Sequence, residues 1–307
     1  MGRYAIRRLL AMIPTLLAIY TITFFLMRAT PGGPWDTNER GLPRQTLDAL
    51  NAKYGLDKPL YQQYWDYLVG VVTRFDFGPS YKMTNRTVTD IVTDFLPVSI
   101  QLGLIAMTIA LSVGLTLGII SALNQNKLAD YIAMFIAIVG VSIPTFVIGP
   151  ILVLIFAVQF RLLPTGGWSR PEHMILPAIV LALEPTALIA RYTRSSMLEV
   201  IRQDYIRTAR SKGLREIVII VRHALRNALI PVITVGGVLL AVVVTGSFFV
   251  ETIFGVPGIG RYFVSSIANR DYPVIMGTTL MLATIVTFMN LMVDLTYGFL
   301  DPRIRYD

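Results

Sequence analysis

The residues best suited to chemistry in this chain are basic, and a third of them sit together. Residues 191–227 carry nine Lys or Arg against three acids, between two apolar stretches. They read Arg191-Tyr192-Thr193-Arg194, then Asp204-Tyr205-Ile206-Arg207-Thr208-Ala209-Arg210-Ser211-Lys212-Gly213-Leu214, then Arg222-His223-Ala224-Leu225-Arg226-Asn227. Such a cluster can bind lipid phosphates or present itself to a soluble partner. Catalytic groupings are harder to find. No Gly-x-x-x-x-Gly-Lys-Ser/Thr occurs, nor any Gly-Lys pair, so the chain has no phosphate-cradling loop of that kind. Gly255-Val256-Pro257-Gly258-Ile259-Gly260 lacks the lysine and reads as a tight turn leading into a short re-entrant or interfacial helix. No serine–histidine–carboxylate grouping follows from spacing. Cysteine is absent, which excludes a disulfide framework and a thiolate metal site.

These residues must be positioned by membrane-spanning elements. The mean hydropathy is +0.61, and only 15% of residues are charged, values of a multi-span membrane protein. A helix rises about 1.5 Å per residue, so roughly 20 apolar residues cross a bilayer. Five stretches qualify: Leu9–Met27, Val98–Leu123, Tyr131–Phe160, Ala228–Val250 and Tyr272–Val293. A sixth, Met174–Ala190, is shorter and carries Glu184 and Pro185. The first resembles a signal peptide but is long for one and lacks a small-x-small cleavage site, so it reads as a retained span. The expectation is an all-α polytopic membrane protein with six transmembrane helices, residues 98–307 forming a five-helix core.

Charge sets the orientation. Segments 1–8, 124–130, 191–227 and 301–307 hold fifteen basic residues, against four in 161–173 and 251–271. The positive side stays in the cytoplasm, which places both termini and 191–227 inside and segment 28–97 outside. His173 and His223 then lie on opposite faces of the membrane and cannot share a metal. The net charge of +8 follows this asymmetry, so nucleic acid is not an expected partner. The 28–97 insert is soluble in character, with eight basic and eight acidic residues. Leu47–Lys53 predicts a short helix with Gly55 as its stop, and Tyr61, Tyr64, Trp65 and Leu68 recur at helical spacing. The insert reads as a packed cap on the membrane interface, as a docking surface for a soluble delivery protein, or as both.

Inside the basic segment, Met197, Ile201, Tyr205 and Ala209 recur every four residues, and Ile217, Ile220, Val221, Ala224 and Leu225 form a second stripe. Gly213 lies between them and can take a positive φ at low cost, which predicts a helix-turn-helix. Glu184 is the clearest ionisable residue within a span; such residues are costly in hydrocarbon. It could line a pathway, pair with a neighbouring helix or subunit, or mark a break at Pro185. Asp294 is expected to cap or snorkel at the inner end of the last span.

The sequence from Asp204 to Leu214, with Arg222-His223-Ala224-Leu225-Arg226-Asn227-Ala228-Leu229-Ile230-Pro231, resembles the coupling loop of peptide-importing ABC permeases. Similar to the same family are Phe75-Asp76-Phe77-Gly78-Pro79-Ser80, Glu251 through Gly260, Asn269-Arg270-Asp271-Tyr272-Pro273 and Leu300-Asp301-Pro302-Arg303-Ile304-Arg305. The likeness covers essentially the whole chain and is nearest to the B-type subunit of oligopeptide permeases. It departs from the broader importer loop: Arg207-Thr208-Ala209 stand where Glu-Ala-Ala is usual, and Arg226 stands where a proline would be.

The resemblance implies a type I importer permease fold that pairs with a homologous C-type permease, two ATPase subunits and an extracytoplasmic peptide-binding protein, in a bacterial or archaeal cytoplasmic membrane. It implies that Arg207, Thr208, Ala209, Arg210, Ser211, Lys212, Gly213 and Leu214 couple to the ATPases. ATP and Mg would belong to those partners; this chain would hold no cofactor and would not be an enzyme. Other cargoes (a dipeptide, nickel or a sugar) and a proton-coupled peptide carrier are the rival readings.

Overall fold

A computed structural model describes the backbone of residues 2–35 and 43–300, and the side chains of 6–35 and 43–295. Within them every regular element is helical, apart from one isolated bridge between Pro79 and Thr87. The chain begins with α1 (Gly2–Ala29), then the two insert helices α2 (Arg44–Tyr54) and α3 (Leu60–Arg74). Gly55 closes α2 in the left-handed conformation, as its sequence predicts. Next comes α4 (Val88–Leu123), which starts ten residues before the expected span. Thr87 and Asp90 form a reciprocal capping box there, each side chain bonding the other's backbone N–H, and this fixes the helix start ahead of the apolar run.

The expected third span is two helices. α5 (Leu128–Ser142) and α6 (Thr145–Leu152), the latter continuing as a π-helical stretch over Val153–Gln159, meet at a bend of 104°. Pro144 sits at the corner, where a proline withholds its N–H from the preceding turn. α7 (Glu172–Ile201) runs unbroken through Pro177 and Pro185, so Glu184 does not mark a helix break. It extends eleven residues beyond the expected end at Ala190 into the basic segment. α8 (Asp204–Ser211) and α9 (Glu216–Val218) follow, and a π-helical stretch over Ile219–Ala224 leads directly into α10 (Leu225–Val244). The fifth span therefore stops at Val244 rather than Val250. α11 (Phe248–Ile253), α12 (Ile259–Asn269) and α13 (Tyr272–Leu300) complete the described chain. The glycine-rich turn does lead into a short helix, α12. The motif ending at Arg305, with Asp301 and Arg303, lies outside the described residues.

Five of these helices are long and apolar enough to cross a membrane, or six if the bent α5–α6 pair is one span. The packing decides between the two. Along α4, Leu102 clusters with Leu176, a Cβ on Gly114 would meet Ile189, a Cβ on Gly118 would meet Thr193, and Ala122 clusters with Met197. α4 and α7 thus run side by side in the same direction. The chain between them must return across the same thickness, so the bent pair counts as one crossing. Six spans result. α13 lies antiparallel to α1, since Tyr272 packs near Tyr20 and Phe24 while Asp294 pairs with Arg8 at 3.0 Å.

Small residues hold α4 and α7 together. Ala106, Ala110, Gly114, Gly118 and Ala122 repeat every four residues along α4, and all are buried. A Cβ on Gly118 would come within 2.5 Å of the Thr193 Cβ, and only glycine allows that approach. In a bilayer, where lipid tails are as apolar as leucine, such close backbone packing is a main source of helix association.

Candidate coupling site

The basic segment is a folded corner at the end of α7. Chain direction turns at Arg202–Gln203, α8 crosses, and the chain turns again at Gly213 into α9. Gly213 has φ +73°, and its N–H donates to the Arg210 carbonyl at 2.9 Å while the Leu214 N–H reaches the Ala209 carbonyl at 3.4 Å. These are the two bonds of a Schellman ending, which needs a left-handed residue at the Gly213 position. A bidentate pair spans the corner, with Arg210 Nε and Nη2 donating to the Glu216 carboxylate at 2.8 and 3.4 Å. Arg207 pairs with Asp204 at 3.3 Å. Asn227 donates to the Tyr205 hydroxyl at 2.7 Å and ties α8 to the start of α10.

Of the eight coupling residues expected from sequence, seven are exposed: Arg207, Thr208, Arg210, Ser211, Lys212, Gly213 and Leu214. The Thr208 and Ser211 hydroxyls donate back to the carbonyls of Asp204 and Arg207. Leu214 is 42% exposed at the tip. Ala209 is the exception and corrects the expected role. It is buried in a cluster with Met197, Ile206, Ile219, Ala224, Ala228 and Ala122, so its small size seats α8 on the spans rather than presenting a partner surface. Ile206, which the four-residue spacing passed over, is fully buried beside it.

A buried polar knot braces the same end. Asp130, 2% exposed at the start of α5, takes Arg194 of α7 at two points and also accepts from the Ser121 hydroxyl and the Asn126 N–H. Arg202 reaches Gln125 at 3.2 Å. The turn between α4 and α5 is therefore fastened to α7 just before the corner.

Glu184 lies exposed halfway along α7. The side of α7 against α4 carries Thr186, Ile189 and Thr193. Glu184, Arg191, Ser195 and Glu199 fall together on the opposite, uncovered side, at helical spacing. Asp294, expected to cap or snorkel, pairs with Arg8, which links the first and last spans. At the other end of the molecule the fully buried Glu251 accepts from Ser99 at 2.7 Å and from the Arg261 N–H at 3.1 Å. Ser99 in turn accepts from the Ile259 N–H at 2.9 Å. The glycine-rich motif thus serves to cap α12 with a carboxylate and lock it to α4. Asp271 in the Asn269–Pro273 motif accepts from Ser80 and from the N–H groups of Tyr81 and Lys82, fastening the insert to α13.

Residues 114–306 match the family described as "Binding-protein-dependent transport system inner membrane component", and residues 1–103 match its N-terminal counterpart. The chain belongs to this family. It is a membrane protein whose family members are permease components rather than catalysts. It is 52% identical over 305 residues to a Bacillus subtilis protein named dipeptide transport system permease protein DppB, covering 99% of this chain and 98% of the relative. It is 44% identical to the oligopeptide transport system permease protein OppB of Escherichia coli K12, with full coverage of both. Dipeptide and oligopeptide permeases thus stand side by side, and overall identity does not carry the expected preference for the oligopeptide branch. Among solved structures, the MetNI methionine ABC transporter in inward-facing conformations aligns with a TM-score of 0.57 at 16% identity, over 69% of this chain and 96% of that one. An amino acid ABC transporter with histidines aligns at 0.51 and 19%, over 70% and 95%. These likenesses show that the fold is that of ABC transporter membrane subunits.

Proposed function

We propose that this chain is one of two membrane subunits forming the path of an ATP-driven peptide importer in a bacterial or archaeal cytoplasmic membrane. Support for the cargo comes from full-length relatives named for dipeptide and oligopeptide transport. Support for the mechanism comes from the corner itself, an exposed tip at Gly213–Leu214 on a rigid helix-turn-helix whose inner face is welded to the spans. Motion of an ATPase seated on that tip passes through Ile206 and Ala209 into α7 and α10, and alternates access to the path. ATP and Mg act in those partner subunits. Arg207, Arg210 and Lys212 stand at the rim, where charge sets orientation and association rate more than affinity. The positive-inside rule places the corner and the N-terminus in the cytoplasm and the insert outside, where a peptide-binding protein delivers cargo.

The exposed side of α7 also supports a position for the second permease. Glu184 lies within the span and is too costly to turn toward hydrocarbon, and Arg191 and Glu199 continue its exposed face into the cytoplasmic segment. That side of α7 therefore faces the homologous permease or the water-filled path between the two, and Glu184 meets a cationic group of the cargo. The test is uptake in cells lacking this chain. Loss of labelled tripeptide uptake, with sugar and nickel uptake intact, is expected. Intact peptide uptake with loss of another solute would replace the cargo assignment.

A further inference from the structure

The insert helix α3 has two uses for its apolar residues, and the fold accounts for only one. Tyr64, Tyr67, Leu68 and Val71 pack on Tyr20, Phe24, Met27 and the start of α13. Tyr61, Trp65, Val69 and Val72 form a second stripe at helical spacing and remain uncovered, Trp65 at 58% and Val72 at 66% exposure. The polar side of the helix faces elsewhere: Gln63, Asp66, Gly70 and Arg74 line a cavity of about 400 Å³ with Arg28, Lys53, Tyr54 and Tyr81. One helix therefore carries a core face, a polar face and an unpartnered apolar face.

Its depth is fixed by α1. Arg8 pairs with Asp294 near one end of that helix and Arg28 bonds Gln63 at the other. Twenty residues separate the two arginines, a rise of about 30 Å, which is the thickness of a bilayer's hydrocarbon core. Tyr64 meets Tyr20, Phe24 and Phe25, and its hydroxyl lies 2.9 Å from that of Thr21. Those contacts lie three to eight residues before Arg28, or roughly 4.5–12 Å below the outer arginine level. α3 thus sits no higher than the outer edge of the hydrocarbon. Its exposed stripe is also continuous with the lipid-facing side of α1: Phe25 stacks on Tyr64, Tyr64 meets Trp65 edge-on, and Ile22 and Leu26 beside Phe25 are uncovered.

We propose that α3 is an in-plane membrane helix whose Tyr61–Trp65–Val69–Val72 stripe is sunk in the boundary between headgroups and acyl chains, with the phospholipid bilayer as its partner. Tyrosine and tryptophan are the side chains favoured at that level, and an amphipathic helix buries its apolar face about 5–10 Å into it. Anchored this way, the insert keeps a fixed height, and the Gln63–Asp66–Arg74 face and its cavity turn to the aqueous side. The inference does not depend on what is transported or on which face of the membrane the insert occupies.

The chain is free of cysteine, so spin labels at Val69→Cys, Val72→Cys and, on the polar face, Asp66→Cys report depth directly. The assembly purified with its partner subunits and placed in nanodiscs would be compared with the unsubstituted assembly labelled in parallel, which supplies the background. Power saturation should show the Val69 and Val72 labels relaxed by oxygen at least fivefold more than by an aqueous nickel chelate, with the reverse at Asp66. Ready access of the chelate to Val69 and Val72 would overturn the proposal in favour of a water-facing surface. Access of neither reagent would overturn it in favour of a protein partner. All three are substitutions of exposed side chains, and retention of the assembly on size exclusion confirms that the fold is intact.

Discussion

Asp130 holds Arg194 by both arms of its guanidinium, Nε to Oδ1 and Nη2 to Oδ2, each at 2.8 Å. The pair joins the turn after α4 to α7, and the remaining capacity of the carboxylate is filled by Ser121 and the Asn126 N–H. A buried ion pair is not stabilising merely by existing, because desolvation offsets its Coulomb gain, but removing one member leaves an uncompensated charge. Asp130→Ala should therefore destabilise the chain by about 2 kcal/mol, below the roughly 3–5 kcal/mol of a fully buried pair because Arg194 keeps some solvent contact. The double variant Asp130→Ala with Arg194→Met should recover most of that loss. Thermal unfolding in detergent measures both. Equal loss in the single and double variants would show that the pair is not the source.

Glu251 gives a pH dependence of known sign. Burial pushes its carboxyl above the ordinary value of 4.5, against the opposing hydrogen bonds from Ser99 and the α12 backbone. A raised folded-state value means that the folded protein holds this proton more tightly than the unfolded chain. The stability contribution is then full at pH values below the ordinary value and falls as pH rises through the raised one. Glu251→Gln, which keeps an acceptor for Ser99 without the charge, should flatten that part of the profile. Melting temperatures of the two proteins from pH 4 to 9 should converge or cross as pH rises. Parallel curves would contradict the assignment.

Glu184→Gln tests the uncovered face of α7. If Glu184 meets cationic cargo, uptake of lysine-containing peptides should fall by about tenfold relative to neutral ones, the effect of roughly 1.4 kcal/mol in binding. Equal loss for all peptides, together with poor recovery of the assembled permeases, would instead assign Glu184 to the contact between the two membrane subunits.

The helix-turn-helix at Gly213 was legible because its signal is local: a glycine where a left-handed residue is needed, between two apolar stripes. The stripes themselves were mis-phased for identifiable reasons. The spacing Met197, Ile201, Tyr205, Ala209 counts straight through the break at Arg202–Gln203, so Tyr205 lands outside and Ile206 inside. In the second half, Ile217 and Val221 are exposed while Ile219 and Ala224 are buried. The inward residues run Ile219, Ala224, Ala228, Val232, Gly236, a five-residue step and then fours. The wider π turn produces that step, which a 3.6-residue period cannot anticipate. The six crossings were readable from length and hydropathy, but the 104° size of the bend at Pro144 was not, since a proline alone does not set an angle. The Asp130–Arg194 and Glu251–Ser99 contacts join residues 64 and 152 positions apart, and such pairings exist only once the helices have packed.

Topology is open to a direct check. Single cysteines at Asn85 and Ser211 fall at opposite ends of the helix bundle. An impermeant maleimide applied to whole cells should label Asn85→Cys and spare Ser211→Cys until the membrane is opened. Labelling of Ser211→Cys alone would invert the orientation.

The proposed role of the Gly213 corner is to transmit ATPase motion to the spans. A Cβ at Gly213 meets nothing within 4 Å in this chain, so a β-branched substitution there strains the chain through φ rather than through a clash with its own neighbours. A β-branched residue with φ near +73° is strained by roughly 1–3 kcal/mol, whereas asparagine tolerates that region. The deciding measurement is ATP hydrolysis by the reconstituted assembly, with and without peptide-loaded binding protein. Gly213→Asn should keep the stimulation by loaded binding protein. Gly213→Val and Leu214→Asp should abolish most of it while basal hydrolysis and assembly persist. Full stimulation in both Gly213→Val and Leu214→Asp would mean that coupling runs through another part of the chain.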